Sequence, residues 1–461
     1  MKKLCIGSLL FIIVIFAAGI INIVNPNKPS VSLAENRKLQ EKPVFSVSSF
    51  FDKSYANNYS AYYSDTFIQR DTLIQYRRAA DKFFGFKKNM KIEISKPVNT
   101  PSPSALPINT VTYSPSPSPA NTCTPATSQT EAPPSPTASV LPTPSPTPKP
   151  EYRAASAIEV LKSPFFLVDN NVVATIWAKD ESLKKYAMFI NELKDSMGEH
   201  VNVYSMVIPT AMEYFNLSDM QYITGSQKQM VEDIAQYTND SVIDVDAYNA
   251  LFHHCKEYIY YKTDHHWTHL GAYYAYTALM QAMGKEQDIV PLESYVDREV
   301  IEGFIGSAYR KTNQDERVLN NPDTLIAYYP LVEYKYIMHK KTGPIEKRLN
   351  DLAYVNPNNQ YYNMFMSGGN GVYHEFTTEN KNGRTILVIC DSYGASFVHF
   401  LLPHYEKVYI MDTRFYDREY LNNMTIDTFA KSIHADDITT LLYMDSVAYT
   451  FNTDALYGLL K

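Results

Sequence analysis

The chain has 461 residues, of which 45% are hydrophobic, and a formal net charge of -7 at pH 7. This size allows one large domain or two ordinary ones with a sizeable core, and the acidic balance without a long basic run argues against nucleic acid as a partner. The four cysteines have neither CxxC nor metal-type spacing, so the sequence indicates no disulfide framework and no zinc–cysteine site.

The N-terminus, residues 1–24, predicts a membrane anchor. Lys2 and Lys3 precede a predominantly apolar run over residues 4–24, which is long enough to cross a hydrocarbon core of roughly 30 Å as a helix. A cleaved signal peptide is the alternative, although the run ends without an Ala-x-Ala site. In both cases the rest of the chain is exported, and we expect a single-pass protein of the cell membrane with its main domain on the extracellular side.

Residues 25–96 form a polar and aromatic N-terminal segment. A helix is predicted over Tyr55–Phe84, with Gly85 as its stop. The composition then changes sharply, because residues 97–150 consist largely of Pro-Ser and Pro-Thr repeats. Such a tract cannot bury apolar surface, so it predicts a disordered spacer.

Residues 151–461 alternate predicted strands and helices, which favours an α/β domain with a mainly parallel central sheet. The run Thr385–Cys390 is continuously apolar, as is typical of a strand buried on both faces. Thr268 and Gly284 are the predicted start and stop signals of one helix. The other predicted strands are Val201–Val207, Val242–Val245, Val408–Met411 and Thr439–Tyr443, and the predicted helices are Gln227–Tyr237, Thr268–Met283 and Ser392–Leu402.

The densest cluster of reactive side chains is Thr263-Asp264-His265-His266-Trp267-Thr268-His269, directly before a predicted helix. An Asp two residues from a His can orient the imidazole and stabilise its protonated form, which leaves the other ring nitrogen as a general base. A metal site built from Asp264, His265, His266 or His269 is one alternative, although no second His/Cys cluster has clear metal spacing. A polar loop that caps the helix is the other alternative.

A nucleophile for this base is predicted in Asp391-Ser392-Tyr393-Gly394, which follows the buried strand. A serine there lies at the carboxyl edge of a parallel sheet, where α/β ligand sites gather, and the amides of a following helix can stabilise an oxyanion. Ser392 could instead serve only as a helix cap. Ser396 is a weaker candidate because it lies one turn inside the predicted helix.

Four further residues are candidates for oxyanion stabilisation or substrate binding. Ser367-Gly368-Gly369-Asn370-Gly371 offers bare backbone at Gly369 and an amide side chain at Asn370, although an ordinary turn has the same composition. Arg414 follows the strand after the nucleophile strand and can face the same sheet edge, with a surface salt bridge as the alternative. Tyr393, beside Ser392, completes the set.

At these motifs the chain resembles a known group. Asp264-His265-His266-Trp267 matches the name-giving motif of the DHHW protein family, and residues 260–272 resemble the Asp-x-His-Trp segment of alginate O-acetyltransferases of the AlgX and AlgJ type. Those proteins belong to the SGNH hydrolase-like superfamily. Residues 387–394 resemble its Gly-Asp-Ser block, but Cys390 stands in place of the glycine. Residues 207–211 and the segment 32–71 resemble further parts of the family.

The resemblance implies an SGNH hydrolase-like three-layer α/β sandwich over residues 151–461. It implies Ser392 as nucleophile, His266 as base and Asp264 as its orienting partner, with Gly369 and Asn370 as oxyanion contributors. We expect no metal and no cofactor.

The leading hypothesis is acyl transfer or ester hydrolysis through an acyl-serine intermediate. The expected substrates are acetyl esters of an exopolysaccharide or a cell-wall glycan, with the acyl donor supplied by a membrane acyltransferase partner. The sequence does not separate transferase from esterase. A non-catalytic glycan-binding or assembly protein of the cell envelope is the alternative, and it requires Ser392 and His266 to lie too far apart to interact. A metal hydrolase is a third hypothesis.

Overall fold

The computed structural model describes residues 19–26, 28, 31–32, 37–46, 54–70, 72, 91–92, 151–217, 223–355 and 361–461. The spacer predicted over residues 97–150 lies outside this set, as do residues 4–18 of the predicted anchor, while residues 19–24 are helical. Within the described ranges, no helix combines the length and apolar character needed to cross a membrane.

The described N-terminal residues form short elements. Strands β1 (Val31–Ser32) and β2 (Arg37–Lys38) pair antiparallel, and helix α1 covers Ser54–Asp65. The helix predicted over Tyr55–Phe84 is interrupted by a turn at residues 66–69; residues 70 and 72 are helical again, and residues 71 and 73–84 lie outside the described residues. In the turn, the Ile68 N–H donates to the Asn22 side chain (2.9 Å), and Gln69 has a φ of 52°. This long-range hydrogen bond replaces the helical one and ends the helix.

A small antiparallel sheet joins the N-terminal segment to the main domain. Its order is β3 (Lys91–Ile92), β4 (Ile158–Val160), β5 (Phe165–Val168) and β6 (Asn171–Ala174). Asp169 and Asn170 connect β5 to β6 with φ angles of 44° and 67°. Two consecutive positive φ angles are what a two-residue hairpin turn of type I′ requires.

The main sheet has eight strands in the order β12-β11-β13-β15-β14-β16-β7-β8. Neighbours from β15 to β8 are parallel, whereas β13, β11 and β12 form an antiparallel half. The bounds are β7 Asn202–Ile208, β8 Ile243–Asp244, β11 Tyr334–Lys340, β12 Gly343–Glu346, β13 Tyr373–Thr378, β14 Thr385–Cys390, β15 Lys407–Asp412 and β16 Asp437–Tyr443.

The expectation of a mainly parallel sheet is therefore corrected to a mixed sheet. The antiparallel half comes from residues 334–378, where only two residues separate β11 from β12. Such a short connection permits only antiparallel pairing. β13 also alternates buried and half-buried side chains, the pattern of a strand with one covered face, whereas all six residues of β14 are buried.

Helices cover both faces of the sheet, so the domain has three layers. Ile386 and Val388 of β14 pack towards one helical layer, and Leu387 and Ile389 towards the other. Each such side chain contributes about 1.5–3 kcal/mol through burial. The first layer holds α4 (Ala247–His253) and α5 (His269–Ala282), and the second holds α2 (Asp180–Met197), α3 (Gln227–Tyr237), α9 (Ile426–Ser432), α10 (Met444–Ala448) and α11 (Thr450–Tyr457).

Several predicted elements agree with the structure. The helix Gln227–Tyr237 and the strand Thr385–Cys390 have the predicted bounds. Thr268 caps α5, since its Oγ1 accepts a hydrogen bond from the Gly271 N–H, and Gly284 follows the helix with a φ of 65°.

The helix predicted over Ser392–Leu402 begins two residues later than predicted and is only partly α-helical. Only α8 (Gly394–Phe397) is α-helical, and short 3-10 turns follow at Val398–Phe400 and Leu402–His404. The Asp391 carboxylate accepts the Tyr393 N–H (2.9 Å), which holds residues 391–393 in a turn before the helix starts. Ser392 therefore lies in a turn and not in a helix.

Two further strands and two short helices lie between α5 and β11. Strands β9 (Arg298–Phe304) and β10 (Asp323–Tyr328) pair antiparallel, and α6 (Ser307–Lys311) and α7 (Glu316–Leu319) connect them. This excursion matters for function because its residues hold the loop that contains Asp264.

Candidate active site

The loop before α5 is fixed by a buried carboxylate at the start of β10. Asp323 is 1% exposed and accepts hydrogen bonds from the Thr263 N–H (2.8 Å), the Thr263 hydroxyl (2.5 Å) and the Lys262 N–H (2.8 Å). Thr263 Oγ1 in turn accepts the Gly306 N–H (2.9 Å). These bonds set the backbone direction from which Asp264 and His266 project.

Gly306 allows the excursion between β9 and β10 to approach this loop. A Cβ atom at position 306 would lie 2.4 Å from Asp264 Cβ and 2.5 Å from the Thr263 carbonyl oxygen. No side chain fits there, so glycine is required for close approach. The approach brings the Ser307 N–H to Asp264 Oδ2, at 2.6 Å.

Asp264 holds the imidazole of His266 by two bonds. Its Oδ1 accepts the His266 backbone N–H (3.0 Å) and the His266 Nδ1–H (2.5 Å). Burial by itself raises the pKa of Asp264, but the facing imidazoles of His266 and His265 and the N–H donors outweigh it and hold that pKa well below its usual range. The carboxylate is ionised at neutral pH, so it can only accept, and the proton of the neutral imidazole stays on Nδ1.

The other nitrogen of the same ring meets Ser392. The distance from Ser392 Oγ to His266 Nε2 is 2.7 Å, and His266 is 1% exposed. Burial lowers the pKa of His266 below its ordinary value, against the opposing effect of Asp264. The ring is therefore neutral at neutral pH, and Nε2 can accept the hydroxyl proton. The structure thus brings together Ser392, His266 and Asp264 in one chain of hydrogen bonds.

Aromatic side chains fix the His266 ring from the sides. The Tyr362 ring stacks on His266 with 3.8 Å between centroids and 6° between planes. The Tyr362 hydroxyl lies 3.2 Å from the Ser392 carbonyl oxygen and 3.0 Å from Ser396 Oγ. Trp267 is fully buried, and its Nε1–H donates to Ser396 Oγ (2.9 Å). Ser396 therefore supports the site from within the core and does not face it.

The turn at Ser392 is held by the preceding carboxylate. The Asp391 carboxylate accepts hydrogen bonds from the Tyr443 N–H (2.9 Å) and the Ser446 hydroxyl (2.8 Å), in addition to the one from the Tyr393 N–H. The carboxyl ends of β14, β15 and β16 meet here, because these strands are parallel. Cys390 is buried in the core, and burial raises the pKa of its thiol well above the usual value.

The histidines of the motif have different surroundings. His265 Nδ1 lies 2.9 Å from Ser307 Oγ, and its side chain is 18% exposed. His269 is buried, and its Nδ1 accepts the Tyr328 N–H (2.9 Å) in the core below α5. The structure therefore separates His269 from the group around Ser392.

The metal alternative involves Asp264, His265 and His266, whose ligand atoms lie within 4.8 Å of one another. Both oxygens of Asp264 already accept N–H hydrogen bonds, and His266 Nε2 faces Ser392. A metal ion would have to replace these bonds, so this donor set fits proton transfer better than metal binding.

Two cavities lie beside Ser392. The larger, of about 210 Å³, is lined by His265, Asp391, Ser392, Thr413, Arg414, Leu442, Tyr443, Asp445, Ser446, Phe451, Asn452, Ala455 and Leu456. The smaller, of about 50 Å³, is lined by His266, Tyr362, Asn363, Phe365, Met366, Gly368, Gly369, His374, Cys390, Asp391, Ser392, Ala395, Ile410, Asp412, Arg414 and Phe415.

The predicted glycine-rich loop reaches the smaller cavity, but its residues differ from the expected roles. Gly369 lines the cavity, yet its N–H donates to the Met366 carbonyl (3.0 Å) and is not available to an oxyanion. Asn370 is exposed and lines neither cavity. Met366, Ser367 and Gly368 all have positive φ angles, and this left-handed run sets which groups point inwards.

Arg414 and Tyr393 also had predicted roles in binding. Arg414 lines both cavities, and its guanidinium is paired with Asp412, with 2.8 Å from Nε to Oδ1. Tyr393, predicted as an oxyanion or substrate-binding residue, has a fully buried side chain, and its N–H donates to Asp391 (2.9 Å). Its hydroxyl donates to the His265 carbonyl oxygen, and its ring stacks on Tyr443. It holds the motif loop against the Ser392 turn.

Sequence reasoning missed Asp323, Gly306, Ser307, Tyr362 and Asn363. Asp323 ends an Asn-Pro-Asp sequence of ordinary composition and Tyr362 is one of 37 tyrosines, so neither stands out by its type. Their positions depend on contacts between segments far apart in the chain. Asn363 precedes the glycine-rich loop, and an amide side chain so close to that loop could have marked it as a second candidate oxyanion donor.

Comparison with known proteins identifies the family. Residues 146–411, more than half of the chain, match the family model described as DHHW protein. A DHHW family protein of Eubacterium siraeum is 31% identical, with a TM-score of 0.57, and the match covers 65% of this chain and 96% of that one. No curated protein is significantly similar.

Two further solved structures have lower sequence identity and lower TM-scores. Bacillus cereus PatB1, solved with a sulfonyl adduct, is 14% identical, with a TM-score of 0.52 and coverage of 64% of this chain and 100% of that one. The O-acetyltransferase domain of Pseudomonas putida AlgJ is 12% identical, with a TM-score of 0.35 and coverage of 65% of this chain and 98% of that one. On the family model and the Eubacterium structure, the chain belongs to the DHHW protein family.

Proposed function

We propose that the protein is a serine O-acyltransferase or esterase that forms an acyl-Ser392 intermediate. The observation that supports this most directly is the unbroken chain from Ser392 Oγ through His266 (2.7 Å) to Asp264 (2.5 Å). A half-buried serine, a neutral imidazole and an ionised carboxylate in this order are the parts of nucleophilic acyl transfer.

In the first half-reaction, Ser392 Oγ attacks the acyl carbonyl carbon while its proton moves to His266 Nε2. The tetrahedral intermediate collapses as the bond to the donor oxygen breaks, and the imidazolium returns the proton to that oxygen. Asp264 stabilises the imidazolium through Nδ1–H and keeps the ring oriented.

In the second half-reaction, a sugar hydroxyl or water gives its proton to His266 Nε2 and attacks the acyl carbon, and Ser392 Oγ leaves with that proton. Transferase and esterase differ only in which acceptor attacks. For the oxyanion, we propose the amide of Asn363, which lines the cavity beside Ser392, in place of Asn370.

The substrate and location rest on the sequence. An apolar run at residues 4–24 behind two lysines, followed later by a Pro/Ser/Thr tract, supports a membrane-anchored protein with residues 151–461 outside the cytoplasm. We propose acetyl esters of an exopolysaccharide or cell-wall glycan as substrates and a membrane acyltransferase partner as the source of acyl groups. The non-catalytic alternative needs Ser392 and His266 apart, which a separation of 2.7 Å does not support.

The test uses the full-length chain in detergent with p-nitrophenyl acetate and intact-mass spectrometry. Wild type is expected to gain one acetyl group on Ser392 and to release p-nitrophenol, whereas Ser392→Ala and His266→Ala lose on the order of 10⁴-fold or more in kcat/KM. Ser432→Ala and the exposed His200→Ala serve as matched controls. An undiminished acetyl adduct in Ser392→Ala would refute the assignment.

A further inference from the structure

The two cavities meet at Ser392 and share three residues, Asp391, Ser392 and Arg414. A tetrahedral carbon bound to Ser392 Oγ carries two groups that need space, the acyl chain and the alcohol or acceptor. Two cavities of about 210 and 50 Å³ on a common serine provide two such spaces of different size.

The smaller cavity has room for only a short group. Its volume of about 50 Å³ is about a quarter of the roughly 210 Å³ of the larger cavity, so it takes the shorter of the two groups. Phe365, Met366 and Ile410, at 1%, 2% and 1% exposure, line it with side chains packed in the core. The half-buried Phe415 forms part of the remaining lining and is the side chain that can be shortened with least damage to the core.

The larger cavity combines polar groups with one exposed aromatic ring. His265, Asp445 and Asn452 supply hydrogen-bonding groups, and Phe451 is 51% exposed. Sugar rings have hydroxyl edges and apolar faces, and they suit a lining of polar side chains and an aromatic surface. At about 210 Å³ the larger cavity has about four times the volume of the smaller cavity, so it takes the bulkier of the two groups.

His265 is placed to contact a hydroxyl in this larger cavity. Its Nδ1 is engaged by Ser307 Oγ at 2.9 Å, so Nε2 is the ring nitrogen left for a ligand. Its ring lies against His266, with 3.9 Å between centroids, which puts it next to the base without sharing its hydrogen bond to Ser392.

We propose that the larger cavity is the acceptor subsite, where a neutral sugar ring packs on Phe451 and bonds to His265, and that the smaller cavity is the acyl subsite, which limits the transferred group to acetyl size. This inference rests on the proposed acyl-Ser392 chemistry. It assigns a substrate part and specificity-determining residues to each side of Ser392.

The experiment is a crossed comparison of two phenylalanine variants in the full-length protein. The acyl readout is the kcat/KM ratio of p-nitrophenyl butyrate to p-nitrophenyl acetate. The alcohol readout is the kcat/KM ratio of glucose pentaacetate to ethyl acetate. We expect Phe415→Ala to raise the first ratio about tenfold or more without changing the second, because one methylene is discriminated by about 10- to 200-fold in a hydrophobic pocket.

Phe451→Ala is expected to lower the glucose pentaacetate to ethyl acetate ratio by up to about tenfold, which corresponds to the loss of one aromatic contact. The butyrate to acetate ratio is expected to stay unchanged. His265→Gln is expected to lower the second ratio too. Ala455→Trp fills the larger cavity from an exposed position without touching the core and is expected to lower the second ratio further. Phe45→Ala, an exposed phenylalanine that lines neither cavity, is the matched control. Thermal unfolding confirms that each variant is folded.

Intact-mass detection of acyl-Ser392 distinguishes failure of the proposed subsites from failure of the proposed function. An acyl-enzyme together with the crossed pattern supports the assignment. An acyl-enzyme with both ratios unchanged, or with the two ratios moving in the opposite variants, overturns the subsites and leaves the proposed function intact. Absence of acyl-Ser392 in wild type overturns both.

Discussion

Two loops flank Ser392, and they are held in different ways. The loop at residues 263–267 is fixed by side-chain hydrogen bonds, from Thr263 to Asp323 and from Ser307 to Asp264. The loop at residues 366–369 is set by backbone conformation, with φ angles of 54° at Met366, 50° at Ser367 and 86° at Gly368.

The difference explains which predictions about the site agree with the structure. In the first loop, residue types and their spacing define the geometry, so Asp264 and His266 could be identified from the motif. In the second loop, the direction of each group depends on the sign of φ, which residue types restrict only weakly. The Gly369 N–H consequently donates to the Met366 carbonyl and Asn370 is exposed to solvent, whereas Asn363 lines the smaller cavity.

The largest effect is expected from Asp264→Asn in the first loop. An amide in place of the carboxylate cannot stabilise the imidazolium and allows the wrong tautomer, so kcat/KM for an acetyl ester falls on the order of 10³–10⁴-fold. Exposed Asp195→Asn is the control, and steady-state kinetics are the measurement. A loss below tenfold would mean that the carboxylate has no role in proton transfer.

Gly306→Ala tests whether the first loop depends on close packing. The added Cβ would meet Asp264 and Thr263 at 2.4–2.5 Å, so the loop must shift. We expect a loss of about 10²-fold in kcat/KM, with unfolding free energy lowered by about 1–3 kcal/mol. Gly458→Ala is the control, because nothing lies within 4 Å of its added Cβ and its φ is -61°. Equal activity of the two variants would contradict the prediction.

A comparison of Asn363→Ala with Asn370→Ala tests which of the two asparagine amides contacts the oxyanion. If the Asn363 amide contacts the oxyanion, its removal lowers kcat by about 10²-fold with little change in KM, the effect of losing one oxyanion donor. Asn370→Ala is expected to stay within about twofold of wild type, because that residue is exposed. The opposite order would restore the original sequence prediction.

The smallest effect is a shift in the pH profile. His266 must be neutral to accept the Ser392 proton, and burial lowers its pKa below the ordinary value of 6.5. The rate therefore rises with pH through a midpoint below 6.5 and is flat at neutral pH, and it falls as His266 is protonated in acid. A profile of kcat/KM against pH checks this, and a midpoint above 6.5 would show that Asp264 outweighs burial.

The parallel half of the sheet and its helices followed from local patterns. Thr385–Cys390 is a continuous apolar run, and Thr268, the predicted start signal of α5, caps that helix in the structure. The antiparallel half was missed because its hairpins depend on pairing between residues 334 and 378, and the alternating pattern of β13 is short.

The sequence by itself determined the chemistry of the motif. Asp264 and His266 are two residues apart, and that short separation lets the carboxylate reach both the backbone and the ring of the same histidine. Neighbouring residues constrain each other through few dihedral angles, so such a pair can be recognised without knowing the fold.

The tertiary structure alone decided what surrounds that pair. Ser392 lies 126 residues from His266 and reaches it because β14 ends beside the loop, while Asp323 and Gly306 fix that loop from another segment. The sizes of the two cavities and the choice between Asn363 and Asn370 depend on the same long-range packing. Contacts of this kind depend on the whole chain, so no local pattern specifies them.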